Sequence, residues 1–447
     1  MNKYAVGSRE REREKTLTEL NGFLERVGVF EMTVNIHIQP LHEIITLEKG
    51  KPPAQSNYNG NREECYLSPD YLRGKAEAEL IKPATNAVRV LDGETIVLWD
   101  GSNAGEIFRA RNGILASTMM RVRHNTDYES EYFYYALKSW EGYLKGQTSG
   151  SGVPHVDKEI LGNLKLFNCE KTEQSKIAEI LSTVDLAIEQ TEGLIAKQQR
   201  IKIGLMQDIL THGIDEHGNL RSEETHEFKD SPVGRIPVEW EVDKLENIAE
   251  FVTSGSRGWA RYYSAEGALF LRIGNLTRDH INMRFDDVVW VNPPQTSEGK
   301  RTSVVTGDLL ISITADLGMI AVIPERFGEA YVNQHIALVR LNKSEVAPRF
   351  IGWFLSGYRG QSQFDKLNES GAKAGLNLPT IKNLLVPTTS LTEQEVIVKV
   401  LEANIQVSTD YRHNFKKLRS LKTALMQDLL TGKVRVTPLL EKMEACP

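Results

Sequence analysis

The chain holds 447 residues, with 54 Lys and Arg against 60 Asp and Glu, a formal net charge of −6, 40% hydrophobic and 26% charged residues. This is the composition of a globular chain long enough to bury two cores of ordinary size, and it excludes low-complexity disorder and a uniformly basic surface. Membrane classes fall too: charges occupy the N-terminus where a signal peptide needs an apolar run, and residues 309–324, the most apolar later stretch, are interrupted by Asp316 and too few to span, so a cytoplasmic location without a membrane partner is expected.

Residues 1–33 alternate charge from Arg9 to Lys15, then place Leu17, Leu20, Phe23, Leu24 and Val27 at helical spacing, which predicts a short solvated helical extension. A globular region over 34–168 and a second over 238–390 are both rich in short β-branched runs broken by Gly, Asn, Asp and Pro. Both run from an apolar opening (Ile38 to Ile45, or Pro237 to Ile248) to a glycine, Gly50 or Gly255. A strand beside an acidic Gly turn follows, at Asp92-Gly93 or Gly307-Asp308. Each closes through a Gly and Ser loop, 148–152 or 370–375, and an Asn-Leu pair, Asn163-Leu164 or Asn383-Leu384. They read as paralogous domains. Between them, residues 214–237 are polar and charged and predict an exposed linker, and 434–447 form a tail.

After each domain comes the same segment. Residues 172–213 and 392–433 both begin Thr-Glu-Gln and both reach Leu-Met-Gln-Asp-(Ile/Leu)-Leu-Thr, a constant 392 − 172 = 220 positions apart, with 13 identities in 42 positions without a gap. Apolar residues step by fours and threes through Ile177, Leu181, Val184, Ile188, Ile195, Leu205 and Ile209 in one copy. The other repeats the register less cleanly, with Ile397, Leu401, Tyr411, Phe415, Leu418, Leu425 and Leu429 and with polar Asn404 and Ser408 in the stripe. That is a heptad-like seam in segments without proline, each followed by a stop signal, Gly213 or Gly432. The spacing predicts long helices over 169–213 and 391–433; roughly 38 helical residues span about 57 Å, more than one helix supports unpacked. The duplication points to the two copies packing on each other.

Catalytic signatures are weak. Asn292-Pro-Pro-Gln295 has Gln where an amino-methyltransferase loop needs an aromatic, and reads as a proline turn after a strand. Gly299-Lys300 has Pro294 where a P-loop needs its first glycine. Asp287 with Glu298-Gly-Lys300 has the letters of a nuclease set, yet a solvated charge run explains it more simply. Cys65, Cys169 and Cys446 are odd in number and widely spaced, which leaves neither a disulfide framework nor a metal site. DNA contact would instead be local. Arg109, Arg111, Arg121 and Arg123 lie in the first domain, and Arg257, Arg261, Arg272, Arg278, Lys300 and Arg301 lie near Trp259, Tyr262, Tyr263 and Asn275 in the second.

Two paralogous domains alternating with two long helices, each opened by Thr-Glu-Gln and closed by Leu-Met-Gln-Asp-x-Leu-Thr, together with Lys229-Asp-Ser-Pro232-Val-Gly234-Arg-Ile-Pro237-Val-Glu-Trp240, resemble the specificity subunit of Type I restriction-modification systems over about residues 35–433. The resemblance implies an α+β chain of two mixed α/β target recognition domains separated by an antiparallel helix pair forming a coiled-coil-like spacer. It implies recognition of a split, asymmetric double-stranded DNA target with a fixed spacer, and no catalysis by this subunit. Two methyltransferase subunits and, where the system has them, restriction subunits are the implied partners; S-adenosylmethionine, ATP and Mg are implied in those partners, not here. Half-sites about one helical turn apart would be met from one face of the duplex. Chemistry and loop position nominate Lys49, Lys51, Asn57, Arg62, Arg73, Asn103 and His155 as DNA-binding in the first domain, with Arg257, Arg261, Asn275, Arg278 and Lys373 in the second. A departure is that the first domain lacks the Pro-x-x-Trp opening of the second. A stand-alone two-headed DNA-binding protein or a protein-binding scaffold stays open on the sequence alone, and obligate association with a methyltransferase discriminates them.

Overall fold

The computed structural model describes residues 37–52, 63–147, 153–294, 296–369 and 376–444, so the predicted extension over 1–33 lies outside the described residues. The chain divides into two compact units, 1–191 with 414–447, and 192–413.

The first unit contains β1 (Ile38–Pro40), β2 (Ile45–Lys49), β3 (Glu64–Leu67), α1 (Pro69–Leu72), β4 (Glu79–Ile81), β5 (Arg89–Val90), β6 (Thr95–Leu98), β7 (Ile107–Arg109), β8 (Gly113–Leu115) and β9 (Met119–His124). It continues with α2 (Ser130–Lys138), α3 (Glu141–Gly146), α4 (Lys158–Gly162), β10 (Lys165–Phe167) and the first half of α5 (Lys171–His212). Its sheets run β2-β9-β6-β7, β4-β3-β8-β5 and β1-β10. All pairings are antiparallel except β3 with β8.

In the second unit follow β11 (Phe228–Lys229), β12 (Ile236–Pro237), β13 (Glu241–Lys244), β14 (Ala249–Ser254), β15 (Tyr263–Ser264), β16 (Ala268–Leu271), β17 (Trp290–Val291), α6 (Ser297–Thr302), β18 (Leu309–Ser312), β19 (Ile320–Val322), β20 (Ala330–Val332) and β21 (Ile336–Leu341). Then come α7 (Pro348–Ser356), α8 (Tyr358–Glu369), α9 (Leu378–Lys382), β22 (Leu385–Thr388) and α10 (Leu391–Leu429), whose last part returns to the first unit with α11 (Thr437–Glu444). The sheets are β14-β21-β18-β19, β15-β17-β16-β20 and β13-β22, with β16 and β20 the parallel pair. The scheme of the first unit is repeated: a four-stranded antiparallel sheet, a sheet with one parallel pair, and a strand pair beside the long helix.

Why the central strands read as unbroken apolar runs is visible in their packing. In β6, Val97 faces one hydrophobic cluster while Ile96 and Leu98 face another. In β18, Leu309 and Ile311 face one and Leu310 the other. Period-two alternation thus feeds two cores from one strand, and both faces must be apolar. The paired glycines also match. A Cβ on Gly50 would lie 2.0 Å from the Ala116 carbonyl oxygen, and one on Gly255 would lie 2.1 Å from that of Val332, so no side chain fits where either strand leaves its sheet.

Within each unit, the start of one long helix and the end of the other share a hydrophobic cluster. Ile177 and Leu181 join Leu429 and Leu430 in the first, and Ile209 and Leu210 join Ile397 and Leu401 in the second. The pair is therefore antiparallel. Seam residues Ile177, Leu181, Val184, Ile209, Ile397, Leu401, Leu418 and Leu429 are buried, whereas Ile188, Ile195, Leu205, Tyr411, Phe415 and Leu425 are half-buried. Most of the fully buried seam lies at helix ends, where a domain covers the helix as well as its partner.

The repeated Thr-Glu-Gln has a physical cause. Gln174 accepts from the Glu129 amide at 2.7 Å and donates to the Cys169 and Asp127 carbonyls at 2.8 and 3.0 Å, tying the start of α5 to the start of α2. Gln394 accepts from the Ala347 amide at 2.8 Å and donates to the Thr389 carbonyl at 2.7 Å, the same clasp on α7. The preceding glutamates bind the chain that follows the other helix. Glu173 accepts from Arg435 at 2.8 and 2.6 Å and from the Val436 amide at 3.2 Å. Glu393 accepts from Arg221, from the Ile214 amide at 2.9 Å and from Trp240 Nε1 at 3.2 Å. Two sequence expectations change here. The 214–237 linker is not simply exposed, because Ile214, Val233 and Ile236 are buried and Arg221 is 9% exposed against Glu393. The tail likewise begins as part of the first unit, with Val436 1% exposed.

Candidate nucleic-acid interface

The second unit builds one cationic corner on a stapled loop. After β14 the chain turns through Gly255 and through Gly258, at φ +80°, into a short 3-10 turn over Trp259–Tyr262. Trp259 is 2% exposed, stacks on Phe270 at 5.4 Å and donates Nε1 to Glu298 at 3.0 Å. That bond, followed by one from Ser256, holds the Glu298 carboxyl below its ordinary value. One turn along α6, Arg301 donates to the Ser254 carbonyl and to Ser256 Oγ, both at 2.6 Å. Glu298 and Arg301 therefore clamp the loop. Arg257, Arg261 and Lys300 stand exposed around the clamp; Arg261 lies 4.8 Å over the Tyr262 ring, and Arg257 and Lys300 carry no ion pair among the described residues. Exposed cations around a fixed loop are suited to phosphate contact.

In the first unit the structure gathers four nominated residues. Lys49 pairs with Asp100 at 2.7 Å, Asp100 bridges His155 through the backbone, and the Gly101 amide reaches the Pro154 carbonyl at 2.9 Å. Lys51 is exposed two residues beyond Lys49, and Asn103 is exposed in the same turn as Asp100. Asn57, Arg62 and Lys373 lie outside the described residues.

Other nominated residues are bonded to groups of the fold itself, Arg278 while half of its side chain stays exposed. Asn275 is 3% exposed; its amide accepts from the Arg272 backbone at 2.9 Å and donates to the carbonyls of Arg284 and Asp287 at 3.0 and 3.1 Å, so both amide hydrogens are spent within the fold and burial keeps the group from a base. Arg73 is tied to Glu106 at 2.5 Å and Asp70 at 3.0 Å. Arg278 donates to Asp316, Gln361 and the Leu317 carbonyl at 3.0, 2.8 and 2.7 Å, and so braces the turn after β18. Among the further arginines, Arg121 is 5% exposed and bonded to Glu48, Glu94 and the Arg89 carbonyl. Arg109 faces Glu131 and the Tyr134 ring. Asp287 pairs with Arg272 at 2.7 Å, so the nuclease-like letters are dispersed. Among the described residues no group of three or more His, Cys, Asp or Glu could hold a metal ion, and no helix is long and apolar enough to cross a membrane. The sequence offers Arg301 only as one of several candidate DNA-facing cations, and no motif distinguishes such a cation from the clamp it forms.

This duplicated architecture matches the family model of the Type I restriction modification DNA specificity domain twice, at residues 34–198 and 237–418. The chain belongs to the family of Type I restriction-modification specificity subunits. The specificity subunit of the Type I restriction enzyme MjaVIII from Methanocaldococcus jannaschii is 29% identical over 384 residues, covering 84% of this chain and 87% of that protein. The EcoBI specificity subunit from Escherichia coli is 23% identical over 343 residues, covering 74% and 71%. In fold, the S subunit from M. genitalium superposes with a TM-score of 0.58 at 17% identity, covering 90% of this chain and 98% of that one.

Proposed function

We propose that this chain reads a bipartite, asymmetric double-stranded DNA target, one half-sequence per unit, and directs adenine methylation and restriction carried out by partner subunits. It supplies recognition and holds no catalytic centre. S-adenosylmethionine, ATP and Mg belong to the two methyltransferase subunits and any restriction subunits that join it. The observation that carries this reading is the repetition of one topology with two different exposed corners: Lys49, Lys51, Asn103 and His155 on one, Arg257, Arg261 and Lys300 on the other. Equal scaffolds with unequal surfaces are what one chain needs to read an asymmetric sequence while offering two similar docking faces.

The triple variant Arg257→Ala, Arg261→Ala, Lys300→Ala tests it. In complex with the methyltransferase of its own system, it should bind target DNA more weakly, with a salt slope shallower by roughly one for every phosphate no longer neutralised. Methylation should lose discrimination at one half of the motif only. Equal affinity and an unchanged motif would refute the assignment of this corner.

A further inference from the structure

Beside the cationic corner of the second unit, two turns meet. Ser256 bridges Asn333 through the backbone and the Gly255 amide reaches the Ile336 carbonyl at 3.3 Å, so the turn between β20 and β21 packs on the backbone next to Arg257. The Ile313 amide reaches the His335 carbonyl at 3.0 Å, which adds the turn after β18. Three side chains on these turns are joined in series: Gln334 Nε2 lies 2.9 Å from His335 Nε2, and His335 Nδ1 lies 2.7 Å from Thr314 Oγ1. An amide nitrogen only donates, so the imidazole accepts at Nε2, carries its proton on Nδ1 and donates it to Thr314.

The series is anchored at its far end. Arg278 bonds Asp316 and the Leu317 carbonyl and so braces the turn that carries Thr314, while the His335 amide donates to Asn333 Oδ1 at 3.1 Å. At the near end, Gln334 is half-buried, and its carbonyl oxygen and second N–H have no partner among the described residues. The first unit makes the same backbone joints with other chemistry. There the Trp99 amide reaches the Thr118 carbonyl at 2.8 Å and the Gly50 amide reaches the Met119 carbonyl at 3.0 Å, which puts Asp100 in the place of Thr314, Thr118 in that of His335 and Ser117 in that of Gln334. Asp100 pairs with Lys49. The scaffold is repeated, but the group presented is not: a short hydroxyl in one unit, a long oriented amide in the other.

We infer that Gln334 reads an adenine in the half-sequence met by the second unit, its oxygen accepting from N6 and its N–H donating to N7 in the major groove, with His335 and Thr314 as positioning residues. A carboxamide with one acceptor and one donor free matches that base edge, as a guanidinium matches guanine. The exposed cations alongside can fix register on phosphates but carry no sequence, whereas an oriented amide does. Its tether to His335 also restricts the side chain before DNA arrives, which lowers the ordering cost of binding.

The inference rests on the functional reading above, and the test separates the two. The full chain, in complex with the methyltransferase subunits of its own system, would methylate duplex pools in which each position of the wild-type motif is randomised in turn, with thermal melting to confirm folding. Gln334→Ala should lose at least about fivefold of discrimination at one A·T pair in one half and leave the other half unchanged. Gln334→Glu, which only accepts, should move the preference at that position toward cytosine. Thr314→Val should relax the same position and Thr314→Ser should restore it, a pattern that a purely structural role for the turn would not give. Folded Gln334→Ala and Gln334→Glu proteins that keep wild-type discrimination at every position, or relax it only at a G·C pair, would overturn the inference and leave the functional reading standing. A wild-type complex that methylates without any bipartite motif would overturn both.

Discussion

At the residue scale the most consequential side chain is Glu393. It is 9% exposed and accepts from Arg221, Trp240, Thr389 and the Ile214 amide, so one carboxylate ties the start of α10 to the chain leaving α5. Glu393→Ala would leave a buried guanidinium and a buried indole N–H unmatched. Loss of such a partner costs about 3–5 kcal/mol, and urea unfolding should show that loss, with Glu393→Gln intermediate because it keeps acceptors but not the charge. His280 offers a pH test. Burial lowers its pKa from the ordinary imidazole value, so the unfolded state takes up the proton first. Its contribution is complete above about pH 6.5, the ordinary imidazole value, and is lost as pH falls below it. Urea midpoints measured at pH 7.5 and 5.5 should therefore fall on acidification, and by less in His280→Gln; an equal fall in both proteins would remove His280 from the account. Residue roles were the least legible part of the sequence. Arg257 and Arg301 look alike on the page, yet one is solvated and the other clamps a loop, because the difference depends on which backbone oxygens the fold brings near.

At the element scale, legibility was much better. The heptad-like stripe, the absence of proline and the glycine stops placed both long helices, observed as Lys171–His212 and Leu391–Leu429. The linker is exposed over most of its length, as its polar composition predicts, but a few apolar residues, Ile214, Val233 and Ile236, hold it down, and Val436 does the same where the tail begins; each docks on a surface distant in sequence. If the helix pair sets the spacing between half-sites, inserting four residues into either long helix adds about 6 Å, nearly two base pairs at about 3.4 Å each. The methylated motif should then acquire a longer spacer while both half-sequences persist. A mutant that methylates the original spacer with unchanged preference would contradict the ruler.

For the whole molecule, the internal repeat was the decisive signal, since one chain compared with itself exposes what each half must preserve. The buried Glu-Gln pairs and the paired glycines are the preserved parts, and each solves the same packing problem twice. The differing corners are where the halves diverge, and that divergence is invisible to any periodicity. The central claim, that this chain determines which bipartite DNA sequence is methylated, is tested most directly by long-read methylation mapping of host DNA with its gene intact and deleted, the neighbouring genes untouched. The account predicts that one bipartite adenine-methylated motif disappears on deletion and every other motif remains. An unchanged set of methylated motifs in a host that expresses the protein would contradict it.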